Sequence, residues 1–337
     1  MLCLLLPLLF NAAPPEAAPP TGACAGLVTR TGVAMGTEVT IRVCPRPGHD
    51  ATAAAERAFD TFGRLERLWS TWVASSDISR LNAAAGGPPV RVAAETLAVL
   101  TQALDGSRRT RGLFDVTFAP LGELWRFDTP PGAHEPTRLQ RVPTADEIRE
   151  RLARVGFEHL RLDPKAGTAQ LARARMAVHL GGIGKGAAVD GAVALLARMG
   201  FTSFAVQAGG DLYCAGKNGT RPWRVGIAHP RRAGTVVGAV DVTDAAFSTS
   251  GDYERYAILD GVRYHHLLDT RTGRPATASQ SATVLARSAT EAEILTKAAF
   301  ILGAAEGVRF VESQGAKAVV VDAMGEVHWS PGLRPSR

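Results

Sequence analysis

The chain has 337 residues, 46% of them hydrophobic and 21% charged, with a formal charge of +6. That balance supports a large buried core and excludes a disordered chain. The positive surplus lies in scattered arginines such as Arg108-Arg109 and Arg231-Arg232, with no aromatic-rich basic block; this argues against nucleic acid as a partner and favours an anionic small ligand.

Residues 2–10 form an apolar run of signal-peptide length, too short to span a bilayer. A Pro/Ala-rich spacer at residues 14–20 and the A-x-A-like Ala23-Cys24-Ala25 follow. Residues 1–25 are therefore expected to be an export signal and 26–337 one domain on the periplasmic or cell-envelope side. The signal lacks its usual positive start, so the true start codon is open. Thr21-Gly22-Ala23-Cys24 also reads as a lipoprotein cleavage box, with threonine replacing the customary leucine, and leaves a lipid anchor open. Cys44 and Cys214 would remain after cleavage and are expected to be two unpaired, buried thiols.

Alternation of Val39, Ile41 and Val43 predicts a half-buried strand over residues 37–43. Asp50 can cap a helix carrying Ala55, Ala58, Phe62, Leu65 and Trp69 at helical spacing. A second helix is expected over residues 94–104. The capping-box pattern at residues 144–147 opens a third, which Gly156 can end. Residues 129–144, rich in proline, read as an excursion loop. A strand pair is expected over residues 159–172, and a helix after the glycine turn at 181–186, with Val189, Val193 and Leu196 inward. The second half reads as strands at 204–207, 223–227 and 236–242, a hairpin at 256–268 turning at Asp260-Gly261, a strand at 281–286, a helix at 292–302 and a final hairpin near Met324-Gly325. Strands and helices mix without regular βαβ alternation, which points to an α+β fold.

Val178-His179-Leu180-Gly181-Gly182-Ile183-Gly184-Lys185-Gly186 joins an apolar strand to a helix. Glycines there let backbone amides approach a phosphate, and the chain has only five lysines against 33 arginines, so Lys185 stands out as a cation for that site. The run matches neither GxGxxG nor the Walker pattern. Trp72 packs into a core in most proteins, but beside a methionine such as Met35 it can hold a flat aromatic ligand. Asp115 after Phe114 reads as a turn former, and Gly209-Gly210-Asp211 as a tight turn after a buried strand. Ser250 lies in a Thr-Ser-Gly turn, but without GxSxG a serine hydrolase is not supported. Alternation sends His265 and His266 to opposite faces, so one of them at most reaches a given site. No CxxC or HExxH is present.

Met35-Gly36-Thr37, Trp72 with Ser79-Arg80-Leu81-Asn82, Gly112 to Trp125, the glycine–lysine turn with Asp190, Gly209-Gly210-Asp211, Thr249 to Tyr253, and His266-Leu267-Leu268-Asp269 with Thr272-Gly273 occur in the order of one family. Over residues 30–330 the chain resembles the FAD:protein FMN transferases, the ApbE-like flavin transferases. The resemblance implies a T-fold-type α+β architecture with mixed, mainly antiparallel sheets and packed helices. It also implies the reaction. FAD is cleaved at its pyrophosphate, FMN is attached by a phosphoester to a threonine of an acceptor domain in a membrane redox complex, and AMP is released with the help of Mg²⁺. By positional match, His266 would be the general base and Lys185 the catalytic cation. Met35, Trp72, Leu113, Phe114, Asp115, His179, Lys185, Ser250 and His266 would line FAD, and the metal would lie against Gly182, Glu293, Thr296 and Lys297.

The metal positions depart from the family pattern. His179 stands where many relatives carry aspartate, and Glu293 and Lys297 where the common motif has aspartate and threonine. Either Glu293 and Thr296 hold a rearranged Mg²⁺, or Lys297 supplies part of the ion's charge. The departures leave two alternatives beside transfer: a non-catalytic FAD carrier, and an FAD pyrophosphatase yielding FMN and AMP.

Overall fold

The computed structural model describes residues 22–125, 127, 139–333 and 335; the expected signal up to residue 21 and residues 129–138 of the Pro-rich excursion lie outside them. Eight strands form one sheet: β1 (Val28–Ala34), β2 (Thr37–Val43), β3 (Phe204–Ala208), β4 (Asp211–Ala215), β5 (Ala245–Gly251), β6 (Ser279–Ala286), β7 (Lys317–Asp322) and β8 (Val327–Trp329). They lie side by side in chain order and every pair is antiparallel. Among the described residues eight α-helices interrupt this meander: α1 (Ala51–Trp69), α2 (Asp77–Ala83), α3 (Ala94–Arg109), α4 (Ala119–Gly122), α5 (Ala145–Leu152), α6 (Gly184–Arg198), α7 (Ala289–Leu302) and α8 (Ala304–Ser313). The fold is α+β, as expected.

The period-2 rule explains the layers. Phe204, Val206, Ala246, Ala318 and Val320 face a core shared with α1, α6 and α7. Their chain neighbours Ala205, Phe247 and Val319 face a second core, closed by the ribbon of Trp223–Ala228 and Val236–Val242. A smaller apolar cluster of Leu121, Trp125, Ile148, Ala257 and Leu268 joins α4 and α5 to the hairpin of Tyr256–Leu259 and Val262–His265.

Helices α1 and α5 start at the expected caps. The Asp50 carboxylate accepts from Ala53 N, and Thr144 and Glu147 complete their capping box. Helix α5 stops at Leu152, short of Gly156, because the amides of Arg154 and Val155 take carbonyls three residues back and tighten the last turn. Helix α7 begins earlier than expected, at Ala289, because Ser288 caps it and Asp190 of α6 accepts from the amides of Ala289 and Thr290. The Thr249-Ser250-Gly251 segment, expected as a turn, is the end of the central strand β5.

The cysteine expectation is corrected. Cys24 and Cys44 form a disulfide with Cα atoms 5.9 Å apart, and among the described residues only Cys214 is free. Burial pushes the Cys214 thiol up to about 12. The bond spans a sequence separation of 20 residues, a loop for which chain-entropy estimates give about 3 kcal/mol. Cys24 N also donates to Asn218 Oδ1 at 2.9 Å and Thr220 N to Gly22 O at 2.9 Å, so residues ahead of the expected boundary at 26 are hydrogen-bonded to the domain.

Candidate active site

A cleft of about 480 Å³ opens where the β1–β2 turn, the α1–α2 loop, the glycine turn and the segment around His266 converge. Met35 and Gly36 both hold positive φ, 53° and 70°, in a two-residue hairpin turn that puts Met35 at the cleft wall. Methionine rarely adopts that conformation, and such backbone strain is concentrated at ligand sites. Trp72 stands on the rim, 91% exposed, its ring free to cover a planar ligand. Leu113 and Phe114 are buried behind it. Asp115 lines the cleft, but its oxygens accept from Thr117 N, Thr117 Oγ1 and Phe157 N at 2.7–2.9 Å; its carboxylate organises the loop that carries Leu113 and Phe114. Ser250 is buried, with its hydroxyl given to Thr296 Oγ1 at 2.9 Å.

The two histidines separate as alternation requires. His265 is buried edge-on against Phe300, with Nε2 2.8 Å from Ala276 O and Nδ1 accepting from Leu267 N, so neither nitrogen is free. His266 lines the cleft, with Nδ1 3.3 Å from Arg255 O. A carbonyl can only accept; the proton therefore sits on Nδ1 and the Nε2 lone pair is left to take a proton. Burial of the ring, with smaller effects from His265, Arg255 and Lys297, lowers the His266 pKa to about 3. His179 also lines the cleft; its Nδ1 accepts from Gly181 N at 3.0 Å and its ring meets Phe118 edge-on.

The deepest wall is a buried ion quartet. Lys185 Nζ lies 2.7 Å from Glu293 Oε1 and 3.2 Å from Asp211 Oδ2, while Lys297 Nζ lies 3.7 Å from the same Glu293 oxygen. The carboxylates are sealed, 0% exposed for Glu293 and 3% for Asp211, but the lysine side chains keep 26% and 18%. The wall therefore shows ammonium groups to the cleft with their countercharges hidden behind, which suits an anionic ligand. Burial opposes the charge on Lys185, yet its two carboxylate partners outweigh that and raise its pKa. The same lysines hold Glu293 ionised despite its burial.

Each member is placed by a local device. The Gly209-Gly210 turn, with Gly209 at φ 56°, starts β4 on Asp211, whose Oδ1 is held by Ser248 Oγ at 2.5 Å. Gly186 lets α6 touch α7: a Cβ there would lie 2.5 Å from Ala289 O. Most amides of the glycine turn are used inside the protein. Gly181 N is bonded to His179, Ile183 N and Gly184 N to Leu180 O, and Gly186 N to Glu293 Oε2. Gly182, at the cleft wall, has no such bond on its amide among the described residues, and the ammonium groups stand beside it.

The expected metal donors do not suit a divalent ion. Glu293 Oε1 is taken by two ammonium groups and Oε2 by the Gly186 amide. Thr296 Oγ1 donates to Glu293 O and accepts from Ser250. Lys297 carries protons where a ligand would carry a lone pair, and His179 Nδ1 is engaged. An oxygen-seeking ion needs several free anionic or carbonyl oxygens, and of this set only the Gly182 carbonyl is left. Asp211 is the member that sequence reading passed over as a turn residue. Its signal was a carboxylate opening an otherwise apolar strand, Asp211–Ala215.

Burial lowers the pKa of His179, His265 and His266 alike from the ordinary 6.5. The unfolded chain then binds more protons below pH 6.5, so the stability these rings contribute is complete above that pH and is lost as pH falls toward their folded values. Urea unfolding between pH 7.5 and 5 is expected to show a decline of at most about 1.4 kcal/mol per pH unit for each ring; a flat profile would contradict their neutral burial.

The fold and the cleft together define an α+β protein whose strained turn, exposed indole and cation-faced wall suit an anionic ligand with a flat ring. A model of the ApbE family matches residues 35–320, and the chain belongs to that family. It is 34% identical over 304 residues to the FAD:protein FMN transferase of Treponema pallidum, covering 84% of this chain and 82% of that one. With the FAD:protein FMN transferase of Vibrio cholerae it shares 32% over 289 residues, 84% of each. The crystal structure of the ApbE protein of Thermotoga maritima superposes with a TM-score of 0.82 at 32% identity, covering 90% of this chain and 97% of that one. The flavin transferase ApbE of Vibrio cholerae superposes with a TM-score of 0.79 at 29% identity, covering 90% and 97%.

Proposed function

We propose that this chain is an FAD:protein FMN transferase that moves FMN from FAD to a threonine of an acceptor domain in a membrane redox complex and releases AMP. The observation that carries this reading is a neutral histidine with a free Nε2 beside a wall of ammonium groups whose carboxylate partners are buried. Met35, Trp72, Leu113 and Phe114 supply apolar and aromatic surface for the flavin ring. Lys185 offers charge to the diphosphate, and its raised pKa keeps it protonated throughout the physiological range. His266 Nε2 takes the proton of the incoming hydroxyl, while the Nδ1 contact to Arg255 O holds the ring in register. Asp115 and Ser250 support the wall from within, since their polar atoms are bonded inside the protein. No step is assigned to Mg²⁺, because the side-chain oxygens expected to hold it, those of Glu293 and Thr296, are already bonded.

Incubation with FAD and a threonine-bearing acceptor domain is expected to give a protein adduct heavier by one FMN, together with AMP. FMN and AMP without an adduct would identify a pyrophosphatase, and bound, intact FAD with no AMP a carrier. The unprotonated Nε2 in the cleft favours the transferase over the carrier.

Export is part of the same proposal, supported by the apolar run at residues 2–10 and by a disulfide suited to an oxidising compartment. The Cys24 sulfur cannot hold both Cys44 and a thioether-linked lipid, so the disulfide favours an unlipidated mature protein. Intact mass of protein from the cell envelope distinguishes these forms, and a diacylglycerol increment on Cys24 would overturn that part.

A further inference from the structure

We propose that the ammonium of Lys297 is the built-in counter-cation of the diphosphate subsite, standing in for a divalent ion, so that FMN transfer by this chain needs no magnesium. The inference rests on the transferase reading above and names how its phosphate site is charged.

Position is the first ground. Lys297 follows Glu293 by one turn of α7, and its ε-carbon lies 3.7 Å from where a Cβ on Gly182 would sit. The ammonium thus emerges against the glycine turn, beside Lys185. The second ground is that its one ion pair is long and leaves its hydrogen-bond donors unfilled. An ammonium has three donors, yet no oxygen lies within hydrogen-bond distance of Lys297 Nζ among the described residues. Its nearest charge partner is Glu293 Oε1 at 3.7 Å. The side chain is 18% exposed, at the cleft wall. A cation held that deep with unfilled donors is a receptor for anionic oxygens.

Saturation of the carboxylates is the third ground. Both Glu293 oxygens and both Asp211 oxygens already accept protons from Lys185, Gly186 and Ser248 or face Lys297. A divalent ion would have to displace an ammonium and then face the remaining one at short range.

In the transfer, the threonine oxygen bonds to the flavin-side phosphorus. The bond from that phosphorus to the bridging oxygen breaks, its electron pair leaves with AMP, and the hydroxyl proton passes to His266 Nε2. Lys297 and Lys185 offset the charge that grows on the phosphate oxygens, a role a fixed ammonium can fill electrostatically.

The test uses the full chain, FAD and an acceptor domain, with transfer measured in excess EDTA and in millimolar Mg²⁺, and FAD affinity measured by flavin fluorescence in EDTA. Wild-type transfer in EDTA is expected within about twofold of that in Mg²⁺. Lys297→Gln is expected to weaken FAD in EDTA at least about tenfold and to slow transfer about 100-fold. Lys297→Arg, which keeps the charge, is expected to restore most of the affinity. A wild type that loses tenfold or more in EDTA and recovers with Mg²⁺ overturns the proposal, and so does a Lys297→Gln protein that binds FAD as tightly as wild type. Should no condition give an FMN adduct, the transferase reading fails, and the affinity comparison in EDTA still decides the role of Lys297.

Discussion

Replacing His266 with glutamine is expected to slow FMN transfer by about 10²- to 10⁴-fold, the usual range for removing a general base, while FAD binding changes little. His266 is the cleft histidine whose Nδ1 faces a carbonyl and so leaves a lone pair on Nε2; His265 has both nitrogens bonded, and Nδ1 of His179 accepts from Gly181 N, which puts the proton of that neutral ring on its Nε2. Its pKa of about 3 makes it neutral at every pH where the protein would work. The pH profile of kcat/KM, which reports the free enzyme, should therefore show no acid limb near 6.5. Transfer by the His266→Gln protein within tenfold of wild type would remove His266 from this role, whereas an acid limb near 6.5 that vanishes with the substitution would keep the role and overturn its lowered pKa.

Glu293→Gln should cost about 3–5 kcal/mol of stability, the range seen when one partner of a buried ion pair is removed. The carboxylate is fully buried and shared by Lys185, Lys297 and the Gly186 amide, so its loss leaves two ammonium groups facing each other beside Asp211. Urea unfolding of the protein without ligand measures this directly. A structural anchor predicts a large loss in EDTA, whereas a residue kept only to bind a metal predicts almost none. The effect should persist at high salt, because a sealed pair is screened far less than a surface one.

These expectations depend on contacts of differing legibility. Strand β2, helix α1 and the capping box of α5 could be read directly, because each is set by spacing and capping chemistry within a few residues. The cleft residues Met35, Trp72, Phe114, Lys185 and His266 were identifiable as types and through the family motifs, and they line one cavity. Strand β5 was not legible. Its small polar residues resemble a turn, and they are buried because Asp211 and Thr296 satisfy Ser248 and Ser250. The disulfide was also hidden, since Cys24 fell within the segment expected to be removed.

From its order of residues alone, the chain determined its α+β class, the starts of α1 and α5, its family and the side-chain types available for binding an anionic flavin nucleotide. Local spacing and capping suffice for these, since periodicity decides which face is apolar and a cap decides where a helix begins. The folded structure alone decided that Lys185, Asp211, Glu293 and Lys297 form one quartet, that the amides of Gly181, Gly184 and Gly186 are bonded inside the protein and that His266 rather than His265 keeps a free nitrogen. Those outcomes depend on sheet register and on the docking of α6 against α7. They join residues up to 112 positions apart, the span from Lys185 to Lys297, and no pattern along the chain encodes such distances.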